Sequence, residues 1–205
     1  MPRVAYSEEE RAQIREKLIM EGLALMAKQG IQHTTVEQIY RQVGISRTFF
    51  YSFFPTKEDF VLETLYYQQP KIIAYAKSLM ADPALSWRQA VEQFFLTCCY
   101  GEKNGIAVLS IEEQTLLFRR LSKESEQLFR KKQTDLFCQI LESFDIPVDL
   151  RKVGVVVNLC LTVLIIRRAI PDTLPFFVLA AADETVQVQV RSLVDYLEQQ
   201  KRADR

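Results

Sequence analysis

Residues 34–57 read Thr34-Thr35-Val36-Glu37-Gln38-Ile39-Tyr40-Arg41-Gln42-Val43-Gly44-Ile45-Ser46-Arg47-Thr48-Phe49-Phe50-Tyr51-Ser52-Phe53-Phe54-Pro55-Thr56-Lys57. Thr34 followed by Glu37 has the form of a capping box, in which a hydroxyl and a carboxylate satisfy orphan backbone N–H groups. It opens a short segment whose apolar stripe is Val36, Ile39, Tyr40 and Val43. Gly44 closes that segment, supplying the left-handed turn a helix end needs. Ser46 caps a second short segment, which Pro55 ends. Two short helices about a tight turn at Val43-Gly44-Ile45-Ser46 make a helix-turn-helix pattern. On a helical wheel the second helix turns Phe50 and Phe54 to the core and Thr48 and Ser52 outward. Small hydroxyls on that face can approach base edges or phosphates. Arg47 in the first turn and Tyr51 on the flank have the reach to join them. Phe49 and Phe53 occupy the other flank, where they either touch thymine methyls or pack on neighbouring helices.

The flanking sequence continues in helices. Ser7 with Glu10 is a capping box leading into Ile14, Leu18, Ile19, Leu23, Leu25 and Met26, and Gly30 stops that run. Thr56 with Asp59 opens a helix through Phe60, Leu62 and Leu65, with a kink or break expected at Pro70. Ser86 and Gln89 start another, which breaks at Gly101–Gly105. Further helices are expected over 106–121, 123–144 and 149–168, and after Pro171 and Pro175 a last one over 183–200. The reading is all-α, with about nine helices. An N-terminal helix-turn-helix domain (1–57), linked by helix 56–70, precedes a larger helical domain (58–205).

Composition narrows the function. The chain has 205 residues, 48% hydrophobic and 25% charged, with Lys+Arg and Asp+Glu at 26 each. Such a balance creates no global field toward nucleic acid or anionic lipid, so any nucleic-acid surface is local. Between residues 28 and 57, Lys28, Arg41, Arg47 and Lys57 stand against Glu37 alone, a local +3 that leaves −3 for the rest. A single histidine, His33, read as a solvated loop residue, argues against His-based triads and poly-His metal sites. The cysteines Cys98, Cys99, Cys138 and Cys160 form no C-x-x-C pair, and no cofactor or metal is expected. The most apolar run, Val153 to Ile166, holds 14 residues; crossing a bilayer takes about 20. No signal peptide is visible, so the expected compartment is the cytoplasm, with reduced thiols.

The string Gly30-Ile31, Thr34 to Ile39, Val43-Gly44-Ile45-Ser46 and Tyr51 to Asp59, ending Phe54-Pro55-Thr56-Lys57-Glu58-Asp59, resembles the DNA-binding domain of TetR-family transcriptional regulators. The resemblance covers about the first quarter of the chain. It implies that double-stranded DNA is contacted by Thr35, Ser46, Arg47, Thr48, Phe49, Tyr51, Ser52, Phe53 and Lys57. Thr35 and Lys57 resemble the family's phosphate clamps, and Tyr51 its phosphate-binding phenol. Free N–H groups and the dipole of a helix start favour an anion independently. The exposed aromatic pair Phe49 and Phe53 is a departure, since relatives often carry a small or polar residue there and a histidine or tyrosine at Phe53. Tyr40 is another, where relatives carry a small residue.

The remainder resembles the family in length and helix count. It implies an effector pocket, expected around Trp87, Phe94, Cys98, Phe118, Phe137, Asn158 and Thr162, for an apolar or aromatic small molecule. Asn158 and Thr162 share a helix face and either bond a ligand, pair across an interface or satisfy each other. A helix apolar nearly all round suggests a homodimer, expected through Val156, Val163, Arg167, Val186, Val190, Leu193 and Leu197. The function implied is a dimeric, ligand-responsive regulator, a repressor on a palindromic operator, with no membrane partner. A helical-bundle enzyme or small-molecule carrier is the competing class. Against an enzyme stand the absence of G-x-S-x-G, P-loop, G-x-G-x-x-G and H-E-x-x-H. A helical adaptor using the N-terminal motif for protein contacts is the third reading.

Overall fold

The computed structural model describes residues 6–169 and 178–203. Its helices are α1 (Glu8–Gln29), α2 (Val36–Val43), α3 (Arg47–Tyr51), α4 (Lys57–Ala81), α5 (Trp87–Cys99), α6 (Gly101–Asn104), α7 (Ile111–Arg120), α8 (Lys123–Ser143), α9 (Leu150–Ala169) and α10 (Ala182–Ala203). The all-α reading holds, with no strand among the described residues. The helix beyond the expected nine is α6, a single turn where the sequence promised only a break. Pro171 and Pro175 lie outside the described residues.

The caps explain most boundaries. Ser7 and Glu10, Thr56 and Asp59, and Ser86 and Gln89 form their capping boxes as expected. Gly44 ends α2 at φ 77°, ψ 30°, the left-handed conformation that costs glycine least. One box lies a residue later than the sequence suggested. Thr35 with Gln38, not Thr34 with Glu37, caps α2. Thr34 is buried, and its hydroxyl donates to the Gly30 carbonyl at 2.7 Å, so it has no freedom to cap.

Two further departures have physical causes. α4 runs through Pro70 without ending, because its two halves are anchored in two different cores. α7 starts at Ile111 rather than near 106, with Ser110 and Glu113 as its box. The segment before it stays non-helical because a side chain holds its backbone. Gln68 Nε2 donates to the Ala107 carbonyl at 2.9 Å, and the Ala107 N–H donates to Gln68 Oε1 at 3.0 Å. Both Ala107 groups are thereby withdrawn from helical bonding.

Two apolar clusters hold the molecule, with α4 threading both. The first joins Leu18, Leu23 and Met26 of α1 to Ile39, Phe50 and Phe54, and to Phe60, Val61 and Leu65 of α4. It also takes in Ala107, Leu109, Leu117 and Phe129, so apolar packing does not divide at residue 57. α1 and α4 approach closely at Gly22, where an added Cβ would stand 2.2 Å from Phe60 Cζ. Phe60 cannot yield, being buried against Phe50 and Phe54 at ring separations of 5.2 and 4.9 Å. The second cluster is built from α5, α8, α9 and α10 on the distal half of α4. No described helix is long and apolar enough to cross a membrane.

Candidate nucleic-acid interface

α3 is fixed from below and open above. Phe50 and Phe54 are 0% and 1% exposed, bedded on α1 and α4. Ser46 Oγ accepts the Phe49 N–H at 3.2 Å to start the helix, and Ser52 Oγ donates to the Phe49 carbonyl at 2.7 Å to finish it. Ser46, Arg47, Thr48 and Ser52 are all exposed, Thr48 and Ser52 on the face the wheel assigns outward. Tyr51 is half-buried, with the Arg47 guanidinium 5.8 Å from its ring centroid. The rigid anchor and the exposed polar face together give what base reading requires: side chains of defined position on a supported element.

Phe49 and Phe53 take the packing reading. Tyr6 stacks on Phe49 at 4.8 Å and 18°, Phe49 meets Phe53 edge-on at 5.0 Å, and the Arg11 guanidinium lies 5.3 and 4.7 Å from the two rings. The start of α1 therefore covers this flank through aromatic and cation–π contacts. Arg11 is a cation beside α3 that the sequence reading missed. Its signal was the aromatic i, i+4 pair itself, a surface that needs a cover.

The local positive charge is partly committed inside the protein. Arg41 pairs with Glu37 at 2.6 Å. Lys57 is half-buried, and its Nζ donates to the Ile31 carbonyl at 3.1 Å, with burial pushing its pKa down. Lys28 and Arg47 stay exposed without an ion pair among the described residues. Thr35 is exposed at the start of α2, its Oγ1 accepting the Gln38 N–H at 3.2 Å. The family-like clamp at Thr35 thus sits at a helix start open to solvent, whereas the Lys57 ammonium is turned inward.

Behind this module lies a cavity of about 140 Å³ bounded by α4, α5, α8 and the 106–109 strap. Of the seven residues expected there, Phe94, Cys98 and Phe137 line it. The other four serve elsewhere. The Trp87 indole N–H donates to the Phe144 carbonyl at 2.8 Å, and Phe118 packs edge-on against Phe129 at 5.5 Å. Asn158 and Thr162 are exposed on α9, where Thr162 Oγ1 donates to the Asn158 backbone carbonyl at 2.6 Å. The sequence reading missed the amides of Gln68, Gln69, Gln114 and Gln133 in the lining. Burial pushes the Cys98 and Cys99 thiols up to about 12, which keeps them protonated and unreactive.

The residues expected at a dimer interface are mostly inside the chain. Val156, Val163, Val186, Val190, Leu193 and Leu197 belong to the second core, none more than 8% exposed. Arg167 is held within the chain by Glu102 at 3.1 Å and the Tyr100 ring at 4.5 Å. Within the chain this stripe faces α5 and α8. Among the described residues, the large apolar side chains that α9 and α10 leave exposed are Val155, Leu159 and Val188, with the exposed Gly154, Asn158 and Thr162 also on α9.

One buried carboxylate ties the two halves together. Glu113, 6% exposed, accepts the N–H groups of Ile31, of Gln32 at 3.1 Å and of Ser110 at 2.8 Å. It thereby joins the turn between α1 and α2 to the end of the strap that walls the cavity. Arg120 of α7 adds an ion pair to Glu58 of α4 at 2.9 Å.

Residues 18–64 match the family model of bacterial regulatory proteins, tetR family. Among solved structures, NemR of E. coli in its reduced form shares the fold at TM-score 0.57 and 15% identity, over 91% of this chain and 96% of its own. A TetR transcriptional regulator from Legionella pneumophila does so at TM-score 0.56 and 20% identity, over 94% and 98%. A regulator of the TetR/AcrR family from Thermobifida fusca gives 0.51 and 20%, over 92% and 98%. No curated protein matches the chain.

Proposed function

We propose that this chain, whose N-terminal module is that of the tetR family of bacterial regulatory proteins, is a ligand-responsive transcriptional repressor binding a palindromic operator as a homodimer. The observation that carries the reading is the α3 face. Arg47, Thr48 and Ser52 stand exposed on a helix whose other side is locked by Phe50 and Phe54. Arg47 and Thr48 read base edges in the major groove. Tyr51, Ser46 and the N-terminus of α2 at Thr35 hold backbone phosphate.

A recognition helix of five residues, Arg47–Tyr51, reads too few base pairs to select a site in a genome. Two copies on a two-fold axis double the footprint. The exposed α9 face, Val155 and Leu159 with Val188 of α10, supplies the apolar patch through which they pair. Residues 1–57 then serve as the reader and 58–205 as the sensor and dimerisation body, working in the cytoplasm where operators lie. The body regulates and does not catalyse.

Ligand control follows the Glu113 tie. A molecule entering the cavity presses on the 106–109 strap, which continues directly into Ser110 and Glu113. Displacing Glu113 releases Ile31 and Gln32, and with them the orientation of α2 and α3. The two recognition helices then no longer match successive major grooves.

Selection of bound sequences from a random duplex pool tests the reading. The expected product is an inverted repeat with half-sites about one helical turn apart, bound with steep salt dependence. Recovery of no enriched duplex would overturn it.

A further inference from the structure

We infer that the cavity between α4, α5 and α8 takes a small, electrically neutral molecule about one ring in size, whose single oxygen acceptor is read by the Gln69 side-chain amide. The inference rests on the effector reading above and names the class of that effector. Size comes first. At about 140 Å³ the space compares with an apolar engineered cavity of about 150 Å³ that holds benzene. Larger drug-like molecules call for about 300 Å³ or more.

Charge comes second. The lining is built of Leu, Ile, Val, Ala, Phe, one Cys and four Gln, with no Asp, Glu, Lys, Arg or His. A carboxylate or ammonium entering it would lose its water and find no counter-charge. The Cys98 thiol on the wall stays protonated and offers no anion either.

The amides settle the polar end. Gln68 has both its side-chain groups engaged by the Ala107 backbone. Gln69, one residue on, has its Nε2 buried with no partner among the described residues. A buried amide donor without an acceptor is costly and uncommon. Gln69 itself is in the lining of the cavity, so a turn of its side chain brings this donor to an acceptor on the occupant. A ketone, ester or ether oxygen meets that need without bringing a charge.

The test uses the full chain and three molecules of nearly one shape: acetophenone, which carries a neutral acceptor; α-methylstyrene, in which a methylene replaces that oxygen; and benzoate, which carries a charge. Titration calorimetry is expected to show acetophenone binding about tenfold more tightly than α-methylstyrene, a difference of about 1.4 kcal/mol, and benzoate not binding. Gln69→Leu should lower acetophenone to the level of α-methylstyrene while leaving α-methylstyrene unchanged. Equal binding of the two neutral probes by the unaltered protein, preference for benzoate, or no binding of any probe would each overturn the inference. Operator affinity is measured in parallel. Selective binding of acetophenone with unchanged operator affinity would uphold the site and overturn its regulatory role, so the two readings fail separately.

Discussion

Phe50 and Phe49 are neighbours in sequence with different degrees of legibility. The burial of Phe50 follows from helical period alone, because its anchor sits in its own module. Phe49 depends on Tyr6 and Arg11, some forty positions earlier, and no local pattern reports them. A separation of 26 positions likewise hid the orientation of Lys57, whose ammonium turns to the Ile31 carbonyl. This sets an expectation for the DNA contacts. Tyr51→Phe should weaken binding to all duplexes alike, and Arg47→Ala or Thr48→Ala should change which bases are preferred, as read by selection with each variant. Lys57→Met should leave the salt slope unchanged, whereas loss of a true phosphate contact would flatten it by about 0.9 per site. Thiol chemistry gives a second residue-scale expectation. With Cys98 and Cys99 pushed up to about 12, both remain thiols at pH 8, and Cys160 is buried and raised as well. A disulfide reagent at pH 8 should therefore label no more than one site per folded chain, the half-buried Cys138, with all four reacting after unfolding.

At the scale of elements, caps made most of the helices readable. Ser7, Ser86 and Thr56 begin helices by hydrogen bonds to residues three positions on, and that information is local. α7 was misplaced at its start because the cause is not local: Gln68 on α4 holds the Ala107 backbone out of helical bonding. The cavity wall was missed with it, since a strap read as helix cannot be read as a lid. Glu113 was equally invisible as a tie, for its acceptors' partners at Ile31 and Gln32 lie some eighty residues upstream. Its role yields a prediction. Glu113→Ala leaves buried N–H groups unsatisfied, and charged hydrogen bonds contribute about 1.5–3 kcal/mol each. With three such bonds lost, stability should fall by at least about 4 kcal/mol in urea unfolding, and the amides of Ile31 and Gln32 should exchange hydrogen much faster than in the parent. Operator binding should weaken at unchanged base preference, because α3 keeps its own anchor. Unaltered protection at Ile31 and Gln32 would remove Glu113 from the path between cavity and reader.

For the whole molecule, α9 poses the problem that sequence period cannot solve. It is apolar on nearly every side, so a wheel finds no preferred face and cannot separate the side turned to its own core from a side offered to a second chain. In the structure Val156 and Val163 face inward with Val190 and Leu197 of α10, and Val155 and Leu159 face out, the side proposed above for pairing. The two sets predict opposite failures. A carboxylate at Val190 or Leu197, each 0% exposed, enters the core with no partner and should unfold the chain, since burying an unpaired charge costs several kcal/mol. A carboxylate at Val155 or Leu159 meets water in the single chain and meets its own symmetry mate in the dimer. Because a two-fold interface brings each patch against itself, Val155→Glu places one like charge on each side of the axis. Sedimentation of Val155→Glu/Leu159→Glu should therefore give a folded monomer, with helical circular dichroism like that of the parent. Its affinity for an inverted repeat should fall to that for a single half-site, a loss of at least about a hundredfold, because each half-site contributes most of the other's binding through the tether. A variant that remains dimeric would move the interface off α9, and a monomer that still binds the inverted repeat at parental affinity would show that pairing of the two readers is not what makes the operator palindromic.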